Sequence, residues 1–367
     1  MTASKTEYRF LFAGGGTGGH LFPAVAVAER IKAKLPEADI LFVGTRTKIE
    51  GTVVPKLGYK FRSIWIKGFS RSFNLENILF PVKLIVSLLQ SLFINMSFRP
   101  KVAIGSGGYV SGPAIWASSV MGAKIILLEQ NSYPGVTTRL LERYADEIHI
   151  SYSDSVKYLK SKGKIRITGN PVRENLNKSD KESALGYFNL SPALKTILIL
   201  GGSLGAHSIN EAVAGSLASF KEKNLQVIWQ TGSSYYGKYK KLAGEGIVIS
   251  PFIEDMNLAY SAADIVVARS GATTIAELLV LGIPSVLIPS PNVAENHQYY
   301  NAKSLADEDA VILIEDKDVK NILTETIIST IFDPVKLKVL KINSQKLGRP
   351  DAASLIADSA IKFAVSL

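Results

Sequence analysis

Short runs of apolar and β-branched residues alternate along the chain with longer segments in which apolar residues recur at helical spacing. This alternation is typical of parallel sheets whose strands are joined by crossover helices. The runs contain few polar residues, which indicates strands buried on both faces. We therefore predict an α/β protein with these strands: Arg9–Ala13, Ile40–Gly44, Val102–Gly105, Lys124–Leu128, Glu147–Ser151, Lys164–Thr168, Thr196–Leu200, Gln226–Gln230, Gly246–Ile249, Asp264–Ala268, Ser285–Ile288 and Ala310–Ile314.

A glycine-rich turn occurs twice, each time between a predicted strand and a predicted helix. The first copy reads GGGTGGH at residues 14–20, and the second reads GGSLGAH at residues 201–207. The repeat predicts two related α/β domains with a cleft between them. A break near Thr168–Arg173, followed by polar residues, predicts the linker. We expect one domain over residues 1–170 with a C-terminal helix at 350–367, and a second over residues 171–349.

Residues 79–98 approach the length of a membrane span but include polar side chains. At about 100° per residue the segment is amphipathic, so we expect a helix that is buried by its apolar face and does not span a membrane. Leu79 and Phe80 are expected in the entry loop before the first turn of the helix, close to Arg71 and Lys83. For these two residues, contact with an anionic bilayer and ordinary core packing are both open alternatives. The polar stripe is Lys83, Ser87, Gln90 and Ser97, and the apolar face is Leu84, Ile85, Leu88, Leu89, Leu92, Phe93 and Met96.

The positive charge is confined to the first half of the chain. Residues 1–170 contain 23 Lys and Arg against 11 Asp and Glu, whereas the remainder contains 19 against 21. Such asymmetry favours an anionic membrane surface or a polyanionic substrate, with simple solubility as the alternative. The chain has no cysteine, which excludes disulfides and thiol nucleophiles and makes a cytosolic location the default expectation.

The glycine turns are candidate phosphate sites. Gly14-x-Gly16-x-x-Gly19 matches the dinucleotide fingerprint, but the second strand ends at Thr45-Arg46 without the acidic residue that would hold a ribose. What remains is a set of backbone N–H groups at a helix start, which binds anions. The alternative is that the glycines serve only close packing. A third cluster, Gly105–Pro113, follows another strand and gives the first domain two loops that suit a diphosphate.

Polar residues also follow the strands of the second half. Ser270, Thr273 and Thr274 stand at the start of a helix, where the dipole favours phosphate. Glu277, one turn further on, is suited either to capping or to binding the vicinal hydroxyls of a ribose. His297 and Gln298 follow a later strand and are suited to sugar hydroxyls. These residues predict a nucleotide-sugar site.

Together these motifs resemble those of the MurG family of bacterial glycosyltransferases over nearly the whole chain. The resemblance implies the GT-B fold, in which two Rossmann-like doubly wound domains face a central cleft. It implies inverting transfer of GlcNAc from UDP-GlcNAc to the MurNAc 4-hydroxyl of lipid I, at the cytoplasmic face of the cell membrane and without a cofactor. The motifs are residues 14–20, 107–113 (GGYVSGP), 129–131 (EQN), 168–173 (TGNPVR), 201–206, 252–256 (FIEDM) and 269–277.

The resemblance also implies which residues bind each substrate. Ile253 would meet uracil through its backbone, Ser203 with residues 272–274 would hold the diphosphate, and Glu277 would hold the ribose. Gln298 with Asn131 would bind the GlcNAc hydroxyls. The full donor set is Thr17, Gly18, Gly19, Asn131, Arg173, Ser203, Ile253, Ala272, Thr273, Thr274, Ile275, Ala276, Glu277 and Gln298. The acceptor set is Gly14, Gly15, Gly16, Gly107, Gly108 and Tyr109, and the membrane patch is Arg71, Leu79, Phe80 and Lys83.

An inverting displacement needs a base for the attacking hydroxyl and charge stabilisation for the leaving UDP. His20 is the first candidate base, because it ends the first glycine turn and histidine titrates near neutral pH. Orienting the loop is the alternative role for His20, and Glu129 is the alternative base. There is no Asp-x-Asp motif at a strand end, and Arg173 with backbone amides can neutralise the pyrophosphate, so we expect metal independence.

Other functions fit part of this pattern. Another GT-B transferase with a lipid acceptor, a UDP-sugar epimerase, and a non-catalytic nucleotide-sugar-binding membrane partner would each share the second-half motifs. Only a transferase with an anionic acceptor explains His20 and the paired glycine loops of the first half. A nucleic-acid partner is not expected, because the basic half lacks an aromatic and basic strand motif.

Overall fold

The computed structural model describes residues 8–68, 79–177, 179–202 and 204–366. The chain divides into two compact units, Met1–Glu174 with Arg349–Leu367, and Asn175–Gly348. These boundaries lie within a few residues of those expected from the sequence. Two of the predicted site residues, Arg71 and Ser203, lie outside the described residues.

The first unit is a seven-stranded parallel sheet in the order β3-β2-β1-β4-β5-β6-β7. Its strands are β1 Arg9–Gly14, β2 Asp39–Gly44, β3 Lys60–Ser63, β4 Val102–Gly107, β5 Lys124–Glu129, β6 Glu147–Ile150 and β7 Ile165–Ile167. Its helices are α1 Gly18–Lys34, α2 Ile49–Lys56, α3 Phe80–Phe98, α4 Ser111–Val120, α5 Val136–Leu141 and, from the end of the chain, α14 Ala352–Val365.

The second unit is a six-stranded parallel sheet in the order β10-β9-β8-β11-β12-β13. Its strands are β8 Lys195–Leu200, β9 Leu225–Gln230, β10 Ile247–Ser250, β11 Ile265–Ala268, β12 Ser285–Leu287 and β13 Ile312–Leu313. Its helices are α6 Lys181–Tyr187, α7 His207–Glu222, α8 Tyr236–Tyr239, α9 Met256–Ala262, α10 Ala272–Leu281, α11 His297–Ala306, α12 Val319–Ile331 and α13 Pro334–Leu347.

Both sheets are covered by helices on both faces, which is why their central strands are apolar throughout. Phe10 and Phe12 of β1 pack under α1 and α14, while Leu11 between them packs on the opposite face with α3 and α4. The prediction of two doubly wound α/β units is confirmed. β3, an edge strand, was not predicted, because Lys60 and Arg62 make it polar and exposed.

The strand order places the glycine turns at the positions where such sheets bind ligands. β1 pairs with β4, and β8 pairs with β11. The chain therefore continues from β1 to β2 on one side of this pair and from β4 to β5 on the other, and likewise from β8 to β9 and from β11 to β12. Ligands of open α/β sheets bind beyond the carboxyl ends of the strands at this switch point. In the first unit the turn after β1 therefore lies beside the loop after β4. In the second unit the turn after β8 lies beside the loop after β11.

The helix over residues 79–98 was predicted correctly, but its orientation was not. Its apolar side faces outward, and its polar side faces the core. Lys83, Ser87, Ser91 and Asn95 are buried. By length and composition alone the helix could cross a membrane. We call its exposed side the apolar stripe: Val82, Ile85, Leu89, Phe93 and Met96, whose exposed fractions run from 50% to 72%.

Hydrogen bonds explain why the polar side of α3 can be buried. The Asn95 side chain accepts from the Ser118 hydroxyl of α4 at 2.7 Å and donates to the Ser91 carbonyl at 2.8 Å. The Ser87 hydroxyl donates to the Leu84 carbonyl. Small side chains let the two helices approach closely while Asn95, Ser87 and Ser118 stay hydrogen-bonded; the buried Ser91 hydroxyl has no partner among the described residues. Hydrophobic periodicity alone therefore assigned the wrong face of α3 to the core.

His149 of β6 gives the fold a pH-dependent element. Its Nε2 lies 3.1 Å from Oε2 of Glu147, a residue that also accepts from Ser359 of α14. Burial lowers the pKa of His149 below its usual 6.5, and the attraction of Glu147 opposes this only in part. The folded state therefore binds fewer protons here than the unfolded chain does.

We predict that the free energy of unfolding falls as the pH is lowered below about 6.5, with a slope of up to about 1.4 kcal/mol per pH unit from this residue. Urea unfolding at pH 7.5 and pH 5.5 measures the effect. His149→Gln, whose amide can still donate to Glu147, should lose less stability over this interval than the wild type. Equal losses in the two proteins would show that His149 is not the group responsible.

Candidate functional site

The first glycine turn joins β1 to α1 at the carboxyl edge of its sheet. Gly16 has a φ of +84°, a conformation that favours glycine. Thr17 is the N-cap of α1, which begins at Gly18, with Gly19 in its first turn. Gly14 pairs with Gly107 at the end of β4. The structure thus brings the two predicted phosphate loops of the first unit side by side.

His20 lies where these two loops meet. Its Nδ1 is 3.2 Å from the carbonyl oxygen of Gly15. A carbonyl oxygen can only accept, so this contact favours the tautomer with the proton on Nδ1 and the lone pair on Nε2; the Thr17 hydroxyl lies 3.4 Å from the same nitrogen. Gly107 and Gly108 have φ of +101° and +78°, and a Cβ on Gly107 would come within 2.8 Å of the ring. Gly107 is therefore needed for the imidazole to fit, and a Cβ on Gly108 would lie 2.5 Å from the Gly15 carbonyl oxygen.

Glu50 of α2 is a further residue of this turn that was not predicted. It is 1% exposed and accepts from the Gly16 amide at 2.9 Å, the Thr45 amide at 3.0 Å and the Thr45 hydroxyl at 2.7 Å. Because a carboxylate already holds the Gly16 amide, an acceptor phosphate would have to bind elsewhere on these loops or displace it.

Glu129 ends β5 with its carboxylate turned into the protein. It is 3% exposed and accepts from the Asn131 amide at 3.0 Å and from the Gly135 amide at 2.9 Å. Burial raises its pKa, and the hydrogen bonds from Thr138, Asn131 and Gly135 oppose that rise. A carboxylate so enclosed is suited to holding the loop over residues 131–135, so His20 is the better candidate base.

The remaining predicted residues of the first unit lie in varied surroundings. Tyr109 is exposed, and its ring packs on Gly68. Leu79 is half exposed at the start of α3, whereas Lys83 is buried with its amine 5.6 Å from the centre of the Trp65 ring. The Lys83 charge is thus directed at an aromatic ring, and half-exposed Trp65 is a neighbour of the predicted membrane patch that the sequence did not indicate. Burial raises the pKa of Glu29, and the charge of partly buried Arg173 opposes that rise.

In the second unit, the start of α10 offers unused hydrogen-bonding groups. The Ser270 and Thr273 hydroxyls are buried, and neither has a hydrogen-bond partner within the described protein. Ala272, Thr273 and Thr274 are the first three residues of α10, and such positions leave their amides without partners inside the helix. Buried donors without partners are costly unless a ligand completes them. Ile275 and Ala276 follow in the same turn.

Other predicted donor residues already make hydrogen bonds that orient them. Glu277 is buried and accepts from the Tyr260 hydroxyl at 2.8 Å. The Gln298 amide oxygen accepts from the Ser290 amide at 2.8 Å, so its NH2 group is the donor that remains for a ligand. The Ile253 amide donates to the Gln230 side chain at 3.0 Å. A backbone contact with uracil would therefore fall to the Ile253 carbonyl oxygen.

Arg269 ties the loops at this edge together. Its guanidinium donates to the carbonyls of Ile288 and Pro289 at 3.2 and 3.1 Å and pairs with Asp316. It also donates to the Ser208 hydroxyl at 3.0 Å. Arg269 thereby fixes the segment after β12 relative to the start of α7. Within the described ranges no group of three or more His, Asp or Glu could hold a metal ion; metal independence stays a prediction.

Comparison with known families gives two matches that cover most of the chain. Residues 10–150 match the glycosyltransferase family 28 N-terminal domain. Residues 196–356 match the glycosyltransferase family 28 C-terminal domain. The two matches fall on the two units in the same order as in that family.

Curated proteins and solved structures give the same result. The chain is 45% identical over 368 residues to a protein of Bacteroides thetaiotaomicron, and 43% identical over 363 residues to one of Parabacteroides distasonis; in each case at least 97% of both chains is covered. Both are named UDP-N-acetylglucosamine–N-acetylmuramyl-(pentapeptide) pyrophosphoryl-undecaprenol N-acetylglucosamine transferase. The crystal structure of Acinetobacter baumannii MurG matches with a TM-score of 0.75, 26% identity, and coverage of 97% of this chain and 99% of that one. A calicheamicin glycosyltransferase, 11% identical with a TM-score of 0.70 and coverage of 97% and 98%, shows the shared fold alone.

Proposed function

The chain belongs to the MurG family of glycosyltransferase family 28, and on that premise we propose that it transfers GlcNAc from UDP-GlcNAc to the MurNAc 4-hydroxyl of undecaprenyl-pyrophosphoryl lipid I. The product would be lipid II of peptidoglycan synthesis. The observation that carries the proposal is identity above 40% over nearly the full length of relatives named for this reaction. The GT-B fold expected from the sequence is confirmed by the match to the solved MurG structure.

We place the donor on the second unit. The unpartnered hydroxyls of Ser270 and Thr273 and the first amides of α10 suit the diphosphate of UDP-GlcNAc. Glu277, held by Tyr260, would accept from the ribose hydroxyls, and the Gln298 NH2 group would bind the sugar. Developing charge on the leaving UDP would then be stabilised by preorganised donors.

We place the acceptor and the base on the first unit. Direct displacement at the anomeric carbon of an α-linked donor gives a β-linked product, and the attacking hydroxyl must lose a proton. The Nε2 lone pair of His20 is suited to accept that proton, because Nδ1–H is held by the Gly15 carbonyl. The loops around Gly14, Gly107 and Gly108 would receive the acceptor diphosphate.

We further propose that the protein associates peripherally with the cytoplasmic face of the cell membrane, where lipid I is presented. The apolar stripe of α3 supports this, since five large apolar side chains on one exposed helix face are unusual on a protein that meets only water. Leu79 and Trp65 extend the exposed apolar surface at the first end of the helix. The net positive charge of residues 1–170 suits an anionic surface.

A transfer assay with UDP-GlcNAc and a short-chain lipid I analogue tests the proposed reaction. The wild-type protein should form the disaccharide product and release UDP in equal amounts. UDP release without sugar transfer would indicate hydrolysis, and no turnover with this acceptor would overturn the proposal.

We predict that Glu277→Ala weakens UDP-GlcNAc binding. Loss of hydrogen bonds to a charged acceptor, at about 1.5–3 kcal/mol each, should lower kcat/KM for the donor about 100-fold. The Kd for UDP, measured by calorimetry, should rise in parallel. Glu325→Ala, an exposed carboxylate on α12 of the same unit, is the matched control. An unchanged Kd in the Glu277 variant would remove this residue from the ribose site.

A further inference from the structure

Glu50 and His20 contact the two ends of one peptide group. The peptide between Gly15 and Gly16 contributes the Gly16 N–H, which donates to Oε2 of Glu50 at 2.9 Å. It also contributes the Gly15 carbonyl oxygen, which lies 3.2 Å from Nδ1 of His20 and accepts from it in the Nδ1–H tautomer. Carboxylate, peptide and imidazole therefore form one continuous chain of hydrogen bonds.

The carboxylate in this chain is rigidly held. Three donors bind its two oxygens: the Gly16 amide binds Oε2, and the amide and hydroxyl of Thr45 bind Oε1. A Cβ on Gly15 would lie 2.4 Å from the Glu50 carboxyl carbon, and one on Gly44 would lie 2.4 Å from its Cγ. Glycine at both positions is thus required for the side chain to enter the turn. An ordinary surface carboxylate would need neither glycine.

From this geometry we propose that Glu50 is the positioning residue of the candidate base, acting on His20 through the Gly15–Gly16 peptide. The arrangement corresponds to a carboxylate–histidine pair with one peptide group inserted between its members. In the direct pair, the carboxylate holds the imidazole tautomer and stabilises the imidazolium that forms during catalysis. Here the Glu50 carboxylate would favour the tautomer and stabilise the imidazolium through the Gly15–Gly16 peptide, without touching the ring.

The physical basis is polarisation along hydrogen bonds. A negative charge accepting from a peptide N–H increases the negative charge on the carbonyl oxygen of the same peptide, and hydrogen bonds in series strengthen one another. The Gly15 carbonyl then becomes a better acceptor for Nδ1–H of His20. This favours the Nδ1–H tautomer, leaves the lone pair on Nε2, and favours the protonated ring after it takes the acceptor proton.

The test compares Glu50→Gln with Glu142→Gln. A glutamine at position 50 has one acceptor oxygen for three donors, so its NH2 group would face either Gly16 or Thr45. Glu142 is a matched control, because it is also buried in the first unit and also accepts from two backbone amides, those of Lys160 and Ser161. We expect the two variants to lose comparable amounts of melting temperature, whereas only Glu50→Gln should change the tautomer of His20.

Two measurements separate positioning from stability. The chain has only four histidines, so ¹⁵N-histidine spectra resolve the His20 tautomer, with His20→Gln used for assignment. We expect the Nδ1–H form in the wild type and in Glu142→Gln, and a shift toward the Nε2–H form in Glu50→Gln. With the short-chain lipid I analogue, kcat of Glu50→Gln should fall about 10- to 100-fold, with KM for UDP-GlcNAc within about twofold.

An unchanged His20 tautomer in Glu50→Gln, or an equal loss of kcat in both variants, would overturn the proposal. If Glu50→Gln does not fold, Glu50→Asp serves instead, because it keeps the charge but is one methylene too short to reach Gly16. The kinetic measurement rests on the proposed transferase function, but the tautomer measurement does not. If the wild type showed no turnover, the proposed function would be refuted, but the spectra would still test whether Glu50 positions His20.

Discussion

Replacing His20 with alanine is expected to lower kcat for GlcNAc transfer by about 10²- to 10⁴-fold, the range that a positioned general base contributes. KM for UDP-GlcNAc should change little, because the donor is proposed to bind the second unit. The loss follows from removing the Nε2 lone pair. The contact between Nδ1 and the Gly15 carbonyl favours the ring tautomer in which that lone pair is on Nε2. Steady-state kinetics with a short-chain lipid I analogue measure it.

The control for this experiment is His149→Gln, which alters a buried histidine of the same unit away from the glycine turns. Its kcat at pH 7.5 should stay within about twofold of the wild type, since folding is complete at that pH. If His20→Ala retained full turnover, His20 would be reduced to a loop-orienting residue. Glu129, the other candidate from the sequence, is engaged by the Asn131 and Gly135 amides, so it would have to release them to act as the base.

The double substitution Leu89→Glu and Phe93→Glu is expected to weaken membrane association about 100-fold. These side chains are 62% and 72% exposed at the middle of the apolar stripe. Each should lose about 1.5–3 kcal/mol of apolar burial, and each new carboxylate is repelled by an anionic surface. Co-sedimentation with vesicles containing anionic phospholipid should show binding about 100-fold weaker than for the wild type.

Because the substituted residues are exposed, turnover with a short-chain, water-soluble acceptor should be preserved. Leu355→Glu with Val365→Glu is the matched control: these exposed residues lie on α14, which packs on the opposite face of the same sheet. The control should bind vesicles like the wild type. Equal binding by all three proteins would show that the apolar stripe is not the membrane contact.

Burial of apolar strands in a parallel sheet leaves a strong mark on a sequence, and for that reason the predicted strands all have counterparts in the structure. The glycine turns were informative for a similar reason, since positive φ at Gly16, Gly107 and Gly108 restricts the residue type. Edge strand β3 escaped prediction because one side of it meets solvent. Its polar composition does not differ from that of a loop.

Two features of the site depend on contacts that are distant in sequence. No acidic residue stands at the end of β2, where Thr45-Arg46 follow the strand. The carboxylate that contacts the glycine turn comes instead from Glu50, inside α2. The wrong face of α3 was assigned to the core, because periodicity separates the two faces of a helix without saying which one is buried. The serines and the asparagine of α3 were the available signal, since small hydrogen-bonded side chains also pack well between helices.

The return of α14 to the first unit affects how that unit is assembled. Ile356, Ala357 and Ala360 complete the core on one face of the first sheet, yet they are translated only after every residue of the second unit. On the ribosome, the amino-terminal half must therefore wait with part of its core uncovered while the carboxy-terminal half is made. The sheet that is synthesised first is therefore the last to have its core completed.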